Sequence, residues 1–200
     1  MRIFLAGASG LIGVRLVPLL AEEGHEVAGM TRTAAKATML EELGATPVVC
    51  DVYDAEELAQ AVAAFEPDVV MHQLTDLPDS VADMSSYTAR NSRMRVEGTR
   101  NLLAAAAAAG ASGFYAQSIA WEQPSDEARA VTAEHERMVL GAGGVVLRYG
   151  QFYGPGTFYP EPARVPKPPR IHIDAAAAQT LPALEAPGGV TLVIDDRALA

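Results

Sequence analysis

The stretch MRIFLAGASGLIG (residues 1–13) decides the fold of this chain. A short apolar run, Arg2–Ala6, is typical of a buried strand, and glycines follow at positions 7, 10 and 13. In such a strand–loop–helix unit the first glycine permits a tight turn, and the second lets a pyrophosphate approach the backbone. The third glycine allows the helix to pack closely on the strand, and the helix N-terminus offers N–H donors to the anion. The stretch therefore predicts a dinucleotide-binding loop. Its predicted cofactor-binding residues are Gly7, Ser9, Gly10, Leu11, Ile12 and Gly13.

Strand-like and helix-like segments alternate from the N-terminus to about residue 153. Strands are predicted at 2–6, 25–30, 45–51, 68–72, 112–118 and 143–149. Helices are predicted at Leu11–Glu23, Ala34–Leu43, Asp54–Ala64, Ala89–Ala109 and Asp126–Leu140. Strands that alternate with helices at this spacing form βαβ units with right-handed crossovers, covered by helices on both faces. The sequence therefore predicts an α/β fold, a Rossmann-type doubly wound parallel sheet.

The composition changes at Gly154, where GPGTFYPEPARVPKPPR (residues 154–170) begins. So many prolines indicate an irregular, extended connection. A short strand containing His172, a helix at Ala175–Glu185 capped by Asp174, and a strand within GVTLVID (189–195) are predicted to follow. We therefore predict a dinucleotide-binding Rossmann domain at 1–153. Residues 154–200 are predicted to be a proline-rich linker and a reduced C-terminal substrate-side segment beyond the sheet, too short for an independent domain.

Composition excludes several classes of function. The chain has 200 residues and a formal net charge of −10, which disfavours binding to a nucleic-acid backbone. It lacks an apolar run of the ~20 residues that span a bilayer, and its N-terminus lacks the apolar core of a signal peptide. The single cysteine, Cys50, excludes an internal disulfide and fits a reducing compartment. We expect a cytoplasmic protein that acts on a small molecule, with no metal site, no nucleic-acid partner and no membrane partner.

The end of the second strand bears on the choice of cofactor. An acidic residue there would bind the ribose 2′-hydroxyl of NAD, but this strand ends GMTRT (residues 29–33). Arg32 and Lys36 are placed instead to meet a 2′-phosphate, which a guanidinium binds well. The alternative is two solvated charges at the start of a helix. NADP is therefore favoured, with NAD left open. Asp51, followed by Val52, either accepts from the adenine amino group or starts a helix.

Five motifs, read in order, resemble the extended short-chain dehydrogenase/reductase family, and in particular its NAD-dependent epimerase/dehydratase and atypical members. They are the glycine loop, TRNLLAAAAAAG (99–110), FYAQSIAW (114–121), LRYGQFYGPGT (147–157) and IHIDAAAAQTLPALEAPGG (171–189). The resemblance implies a Rossmann domain, a small C-terminal substrate portion and a nicotinamide cofactor. It also implies that Gln73, Leu74 and Thr75 lie along the cofactor. Ser118 would polarise a substrate carbonyl as the catalytic residue, and Tyr149 would border the nicotinamide.

The chain departs from the family at its acid–base pair. Family members carry a tyrosine followed four residues later by a lysine on the helix after Ser118, where this chain reads SDEARAVTAEHERMVL (125–140). The only lysines in the chain are Lys36 and Lys167, so no such pair exists. His135 lies on this helix, but its neighbours Glu134 and Glu136 predict an exposed, charged face. Without a partner acid, a serine has little power to move a proton.

Two further departures concern the substrate side. Arg95 replaces the asparagine of the family's N-x-x-G-T segment, on a helix that also carries Arg90, Arg93 and Arg100. We interpret these arginines as a solvated basic face, with contact to an anion in the pocket as the alternative. The segment between GPGT and IHID is also shorter than the resemblance implies.

Two hypotheses follow. The first is an atypical NADP-dependent oxidoreductase or epimerase-like enzyme that works without the usual acid–base pair, because hydride transfer is the cofactor's own chemistry. The second is a non-catalytic NADP-binding redox sensor or accessory protein. A homodimer is left open, because the alanine-rich helix before the fifth strand could pack between subunits or within one chain. His72, inside the fourth strand, is interpreted as a core histidine.

Overall fold

A computed structural model of the chain describes residues 1–78, 80–161 and 164–195. Its centre is a seven-stranded sheet in which every neighbouring pair is parallel, in the order β3-β2-β1-β4-β5-β6-β9. The strands of this sheet are β1 Arg2–Ala6, β2 Glu26–Thr31, β3 Thr46–Val49, β4 Val69–His72, β5 Gly113–Ile119, β6 Val145–Tyr149 and β9 Gly189–Val193. Two short strands, β7 Gln151–Tyr153 and β8 Arg170–His172, form a separate parallel pair. The predicted doubly wound parallel sheet is confirmed.

Seven α-helices cover the sheet in the described residues. They are α1 Gly13–Glu22, α2 Ala37–Glu42, α3 Ala55–Phe65, α4 Met84–Arg93, α5 Thr99–Ala108, α6 Asp126–Gly141 and α7 Ile173–Ala183. A 3₁₀ turn, Ala34–Lys36, precedes α2 and replaces the start of the predicted helix there. The single helix predicted at 89–109 begins earlier, at Met84, and a π-helical turn at Met94–Gly98 separates α4 from α5.

The first strand is buried on both faces, which explains its continuous apolar sequence. Ile3 and Leu5 belong to one apolar cluster, together with residues of α1, α2 and α7. Phe4 and Ala6 alternate with them and belong to a second cluster, together with residues of α3, α5 and α6. The two clusters are the two helix layers of a doubly wound fold.

The C-terminal segment joins the sheet instead of lying beyond it, contrary to the sequence-based expectation. β9 pairs with β6, with Gly189 opposite Val145, and adds the seventh strand. The helix α7 begins at Ile173, and its N-cap is His172, whose Nδ1 accepts from the Asp174 amide at 3.3 Å. Asp174 is therefore not the cap that the sequence predicted, and its carboxylate pairs with Arg15 of α1 at 2.6 Å.

The strand order places the functional edge of the sheet. β1 lies between β2 and β4, so the direction of winding reverses there, and ligands of such sheets bind at the carboxyl ends of the strands beside this point. The glycine loop, the segment after β4 and the end of β5 all lie at this edge. In the described part of the chain, no helix has the length and apolar character needed to cross a bilayer.

Candidate functional site

The glycine loop between β1 and α1 has no room for side chains at its two ends. Gly7 has φ +93°, and a Cβ there would lie 2.8 Å from the backbone of Gln73. A Cβ on Gly13 would lie 2.2 Å from the carbonyl oxygen of Gly7. Gly10, by contrast, is exposed, and its added Cβ would meet only the Gly7 oxygen, at 3.2 Å. Gly7 and Gly13 therefore allow close backbone packing within the loop, and Gly10 leaves the outer surface of the loop without a side chain.

The loop also offers free hydrogen-bond donors. The Gly10 amide donates to Gly7 at 3.0 Å, and the Val14 amide donates to Gly10 at 3.1 Å. The intervening amides of Leu11 and Ile12 donate to no acceptor among the described residues, and no side chain caps α1. Unpaired amides at a helix N-terminus form an anion site with the helix dipole. Leu11 and Ile12 therefore offer two amide donors at the start of α1.

Two cations flank the loop at the end of β2. Ser9 Oγ donates to Thr31 Oγ1 at 2.9 Å, which ties the loop to the last residue of the strand. The Lys36 ammonium lies 3.5 Å from the Ser9 carbonyl oxygen. The Arg32 side chain is 57% exposed, and its guanidinium lies 3.9 Å from the carboxylate of Asp76. Of the two predicted cations, Lys36 thus lies against the glycine loop and Arg32 lies nearest Asp76, and no acidic residue ends the strand.

Asp51 and Val52 follow β3. The Asp51 carboxylate is exposed and accepts from the Tyr53 amide at 3.0 Å, which closes a turn. The N-cap of α3 is Asp54, whose carboxylate accepts from the Glu57 amide at 3.0 Å, so Asp51 does not start the helix. Val52 is buried and its carbonyl oxygen accepts from Asn101.

The segment after β4 contains a buried polar side chain with an unsatisfied acceptor. Gln73 is 4% exposed, and its Nε2 donates to the Tyr149 hydroxyl at 3.2 Å. Its Oε1 has no hydrogen-bond partner in the described residues, although buried polar atoms are normally paired. Leu74 is half-buried and Thr75 is exposed, so both stand at the surface of the site.

Tyr149 lies in the core, not at an open site as the sequence suggested. Its side chain is 2% exposed and belongs to the cluster beneath α1 and α7, because the last residue of β6 faces that layer. Its hydroxyl lies 2.7 Å from Thr180 Oγ1 in addition to its contact with Gln73. Burial raises the pKa of Tyr149 to about 12, against the opposing hydrogen bonds from Thr180 and Gln73. This phenol is therefore a core residue that supports Gln73.

Ser118 has a partner acid that the sequence analysis did not find. Its Oγ donates to Glu136 Oε1 at 2.6 Å, and Arg148 Nε donates to the same oxygen at 2.9 Å. Glu136 is 7% exposed, so the expectation of an exposed face around it was wrong. Burial acts to raise the pKa of Glu136, but the hydrogen bonds from Arg148 and Ser118 outweigh burial and lower it. Glu136 is therefore a carboxylate, and the single hydroxyl proton of Ser118 is committed to it.

His135 is also buried, at 1% exposure, and the expectation of a solvated His135 was wrong. It joins His72 through Thr99, whose Oγ1 lies 3.1 Å from His72 Nε2 and 2.8 Å from His135 Nδ1. His72 Nδ1 accepts from the Leu74 amide, and His135 Nε2 lies 3.0 Å from the Gln117 carbonyl oxygen. These partners assign Nε2–H to both rings and let Thr99 donate to His135. The interpretation of His72 as a satisfied core histidine is confirmed.

Both histidines are held neutral. Burial, followed by the charge of Arg95, lowers the pKa of His135 to about 4, against hydrogen bonds that raise it. Burial, and then the neighbouring His135, lower the pKa of His72 well below its ordinary value. A buried neutral imidazole with both nitrogens paired is part of the scaffold between β4, β5, α5 and α6.

One face of α6 lines two adjoining cavities. Ala128 and Thr132 line a cavity of about 100 Å³, and Thr132 and Glu136 line a wider one of about 330 Å³. These three residues are spaced by four along the helix, so they share one face. Ala128 and Thr132 line the smaller cavity at a spacing of four, and neither is a tyrosine or a lysine.

The solvated basic face predicted for the four arginines does not include Arg95. Arg95, on the π-helical turn, is half-buried and lines the smaller cavity, whereas Arg90, Arg93 and Arg100 are exposed. Tyr87, on α4, also lines it, and the guanidinium of Arg90 lies 4.5 Å from the centre of its ring. The one sequence feature that pointed to Arg95 was its position at the asparagine of the family's N-x-x-G-T segment. No sequence feature predicted that Tyr87 would line the cavity.

Comparison with known proteins finds a family and several relatives. The family described as "NAD dependent epimerase/dehydratase family" matches residues 3–138. A 3-diazoavenalumate denitrifying reductase from Streptomyces sp is 40% identical over 182 residues, covering 80% of this chain and 59% of that protein. A 3-beta-hydroxysteroid dehydrogenase from Mycolicibacterium neoaurum is 35% identical over 115 residues, covering 56% of this chain and 30% of that protein. The chain thus spans less than two thirds of the length of either relative.

Solved structures share the fold. The UDP-glucose 4-epimerase of Thermus thermophilus, in complex with NAD, superimposes with a TM-score of 0.75 and 21% identity, over 97% of this chain and 78% of that one. The UDP-Glc/GlcNAc 4-epimerase of Campylobacter jejuni gives a TM-score of 0.78 at 15% identity, over 96% and 78%. At these identities the likeness concerns the fold alone.

Proposed function

This chain belongs to the NAD dependent epimerase/dehydratase family, and on that premise we propose that it is an NADP-dependent reductase of a small electrophilic molecule. The observation that carries the proposal is the cavity face of α6, which presents Ala128 and Thr132 at a spacing of four and neither a tyrosine nor a lysine. A site with a cofactor-binding loop but without the tyrosine acid fits a reaction in which the substrate accepts a hydride and needs no proton from the protein.

The residues present fit a nicotinamide dinucleotide. The free amides of Leu11 and Ile12 would bind the pyrophosphate, and the low surface at Gly10 would let it approach. Arg32 and Lys36 would hold a 2′-phosphate, which is the support for NADP over NAD. The unsatisfied Gln73 Oε1 would accept from a donor group of the cofactor. When bound, the reduced nicotinamide supplies a hydride, which carries two electrons and one proton.

The residues around the substrate cavity favour an acceptor that needs no protein acid. A ketone becomes an alkoxide on accepting hydride and requires a donor, which in this family type is the missing tyrosine. The Ser118 hydroxyl already donates to Glu136, and His135 is neutral with its Nε2–H directed at Gln117. A cationic acceptor, such as an iminium or diazonium group, becomes neutral on accepting hydride. The Streptomyces relative is named for the reduction of a diazo compound, which supports this choice.

The test is reduction by the purified protein of two substrate panels with NADPH, followed at the absorbance of the reduced nicotinamide. One panel contains aryl aldehydes and ketones, and the other contains arene diazonium and cyclic iminium ions. We expect turnover on the cationic panel only, above the rate without protein, and loss of it in Gly10→Val, which blocks the phosphate loop. Turnover confined to the carbonyl panel contradicts the choice of acceptor.

The same cavity face favours a second candidate, a non-catalytic NADP-binding sensor or accessory protein. Its support is that neither Ala128 nor Thr132 has a side chain that ionises near neutral pH, whereas Gly7 and Gly13 pack closely in the glycine loop. Tight binding of NADPH with no turnover on either panel would favour this candidate and overturn the reductase proposal.

A further inference from the structure

We infer that Arg95 binds a carboxylate group of the substrate in the small cavity between α4, the π-helical turn and α6. This inference rests on the proposed function, because it assigns a substrate class to the same site. It begins from the position of Arg95, which is half-buried and lines the cavity of about 100 Å³ together with Ala128 and Thr132. The cavity thus has a cation on one wall and small side chains on the other.

The guanidinium of Arg95 has no anionic partner in the described part of the chain. Every other described arginine except Arg100, Arg164 and Arg170 forms an ion pair, and those three are at least partly exposed. The acid that acts on Arg95 electrostatically is Glu136, which already accepts hydrogen bonds from Ser118 and Arg148. Burial lowers the pKa of Arg95, with Glu136 opposing, which is the sign of a charge that lacks compensation.

The backbone holds this arginine in place. Arg95 lies inside the π-helical turn that separates α4 from α5. A π turn is a rare feature of helices that is frequent at functional sites. The turn therefore fixes where the side chain of Arg95 leaves the helix, and it leaves into the cavity.

Neutral donors complete an anion site. Tyr87, Asn91, Gln123 and Thr132 line the same cavity, and their side-chain hydroxyl or NH₂ groups donate to no residue that the structure describes. A guanidinium fork with neutral donors around it matches the planar, two-oxygen shape of a carboxylate. The volume suits the carboxylate end of a small organic acid, and the wider adjoining cavity would take the remainder. The protein as a whole has a net charge of −10, so the unpaired positive charge of Arg95 belongs to this cavity and not to a generally basic surface.

The experiment measures binding without turnover, so that it stands apart from the test of reduction. Cinnamate and its neutral counterpart cinnamamide are titrated by calorimetry at millimolar concentration into the protein saturated with NADP⁺, and again into the protein alone. We expect cinnamate to bind about tenfold or more tightly than cinnamamide, as for a charge-assisted contact of about 1.4 kcal/mol. The preference should disappear in Arg95→Gln, return in part in Arg95→Lys, and persist in Arg100→Gln, a matched change at an exposed arginine of α5.

Thermal melting shows whether Arg95→Gln is still folded. Because Arg95 lacks an ion pair, Arg95→Gln should melt at the wild-type temperature or above it, whereas a structural arginine would lower it. Equal binding of the acid and the amide, no binding of either, or a carboxylate preference that survives Arg95→Gln overturns the inference. A carboxylate preference without hydride transfer to any panel overturns the proposed reductase and leaves the anion site standing.

Discussion

Ser118 Oγ lies 2.6 Å from Oε1 of Glu136, and this hydrogen bond joins the end of β5 to the middle of α6. The carboxylate is also held by Arg148 of β6, so three elements meet at one buried acid. A carboxylate is only an acceptor, so the Ser118 proton points at Glu136 and away from any substrate. Ser118, which the resemblance implied to be catalytic, therefore forms a hydrogen bond to Glu136 that competes with a catalytic role.

Ser118→Ala tests which role prevails. We expect the free energy of unfolding to fall by about 1–3 kcal/mol, because Glu136 loses a partner while buried. Turnover in the folded variant should change little, since no proton is drawn from Ser118. Urea denaturation and steady-state rates give the two quantities, with Ser112→Ala as a control at an exposed hydroxyl. A loss of turnover of about a hundredfold at unchanged stability would show instead that Ser118 acts on the substrate.

Gly10→Ala and Gly13→Ala form a matched pair at the cofactor loop. The Cβ at position 13 would lie 2.2 Å from a backbone oxygen, so the loop or α1 must move, and we expect a loss of stability of more than about 2 kcal/mol. The Cβ at position 10 would meet one atom at 3.2 Å, so the fold should persist while cofactor affinity falls. Thermal melts with and without NADPH separate the two effects. Equal stability of the two variants would contradict the packing role of Gly13.

Arg32→Ala tests the cofactor preference. The guanidinium is exposed beside the glycine loop and lies at 3.9 Å from Asp76, too far for a strong bond that would hold it away from a phosphate. We expect NADPH to bind more weakly by about 1–3 kcal/mol and NADH to be nearly unaffected. Fluorescence titration of both reduced cofactors measures this, with Arg100→Ala as a control for loss of charge. Equal weakening of both cofactors would remove the support for a phosphate clamp.

Tyr87→Phe tests the absence of a protein acid. Tyr87 supplies the phenol of the smaller cavity, from the wall opposite Ala128 and Thr132. If hydride transfer needs no protein proton, the variant should reduce saturating cationic substrates that lack a carboxylate at a rate within about twofold of wild type. Stopped-flow single-turnover rates check this directly. A rate that falls a hundredfold or more, with NADPH affinity unchanged, would identify Tyr87 as a proton donor from α4.

The sequence could predict the fold and the cofactor loop because both follow from local patterns. The glycines at 7, 10 and 13 report backbone requirements within one strand–loop–helix unit, and the alternation of elements imposes the parallel sheet. The Ser118–Glu136 bond and the burial of His135 depend on how α6 rotates against β5, which short-range pattern does not specify. Charged neighbours such as Glu134 and Glu136 suggested solvent, yet only Glu134 pairs with Arg137 at the surface, and Glu136 turns inward. The position of Arg95 in its cavity likewise depends on the π-helical turn, which no pattern of residues predicted.

The buried pair His72 and His135 predicts how stability depends on pH. Their rings meet edge to face at 5.6 Å, and both imidazoles have pKa values lowered by burial, that of His135 to about 4. In the unfolded chain each titrates near 6.5, so below that pH the unfolded state binds more protons than the folded state. The free energy of unfolding should therefore be steady above pH 7. From about pH 6.5 to 4 it should fall by up to about 1.4 kcal/mol per pH unit for each histidine.

Urea denaturation between pH 8 and pH 4.5 measures this slope, and His135→Asn provides the comparison. The amide can accept from Thr99 and donate to Gln117 without titrating, so the variant should be less stable at pH 8 yet lose less stability on acidification. His25→Gln, at a histidine near the N-terminal amine, should leave the slope unchanged because that ring lies outside the network. An identical slope in wild type and His135→Asn would mean that the folded protein protonates His135 as readily as the unfolded chain does. The chain of bonds through Thr99 would then have to reorganise on acidification, because Nδ1 of a protonated ring can only donate.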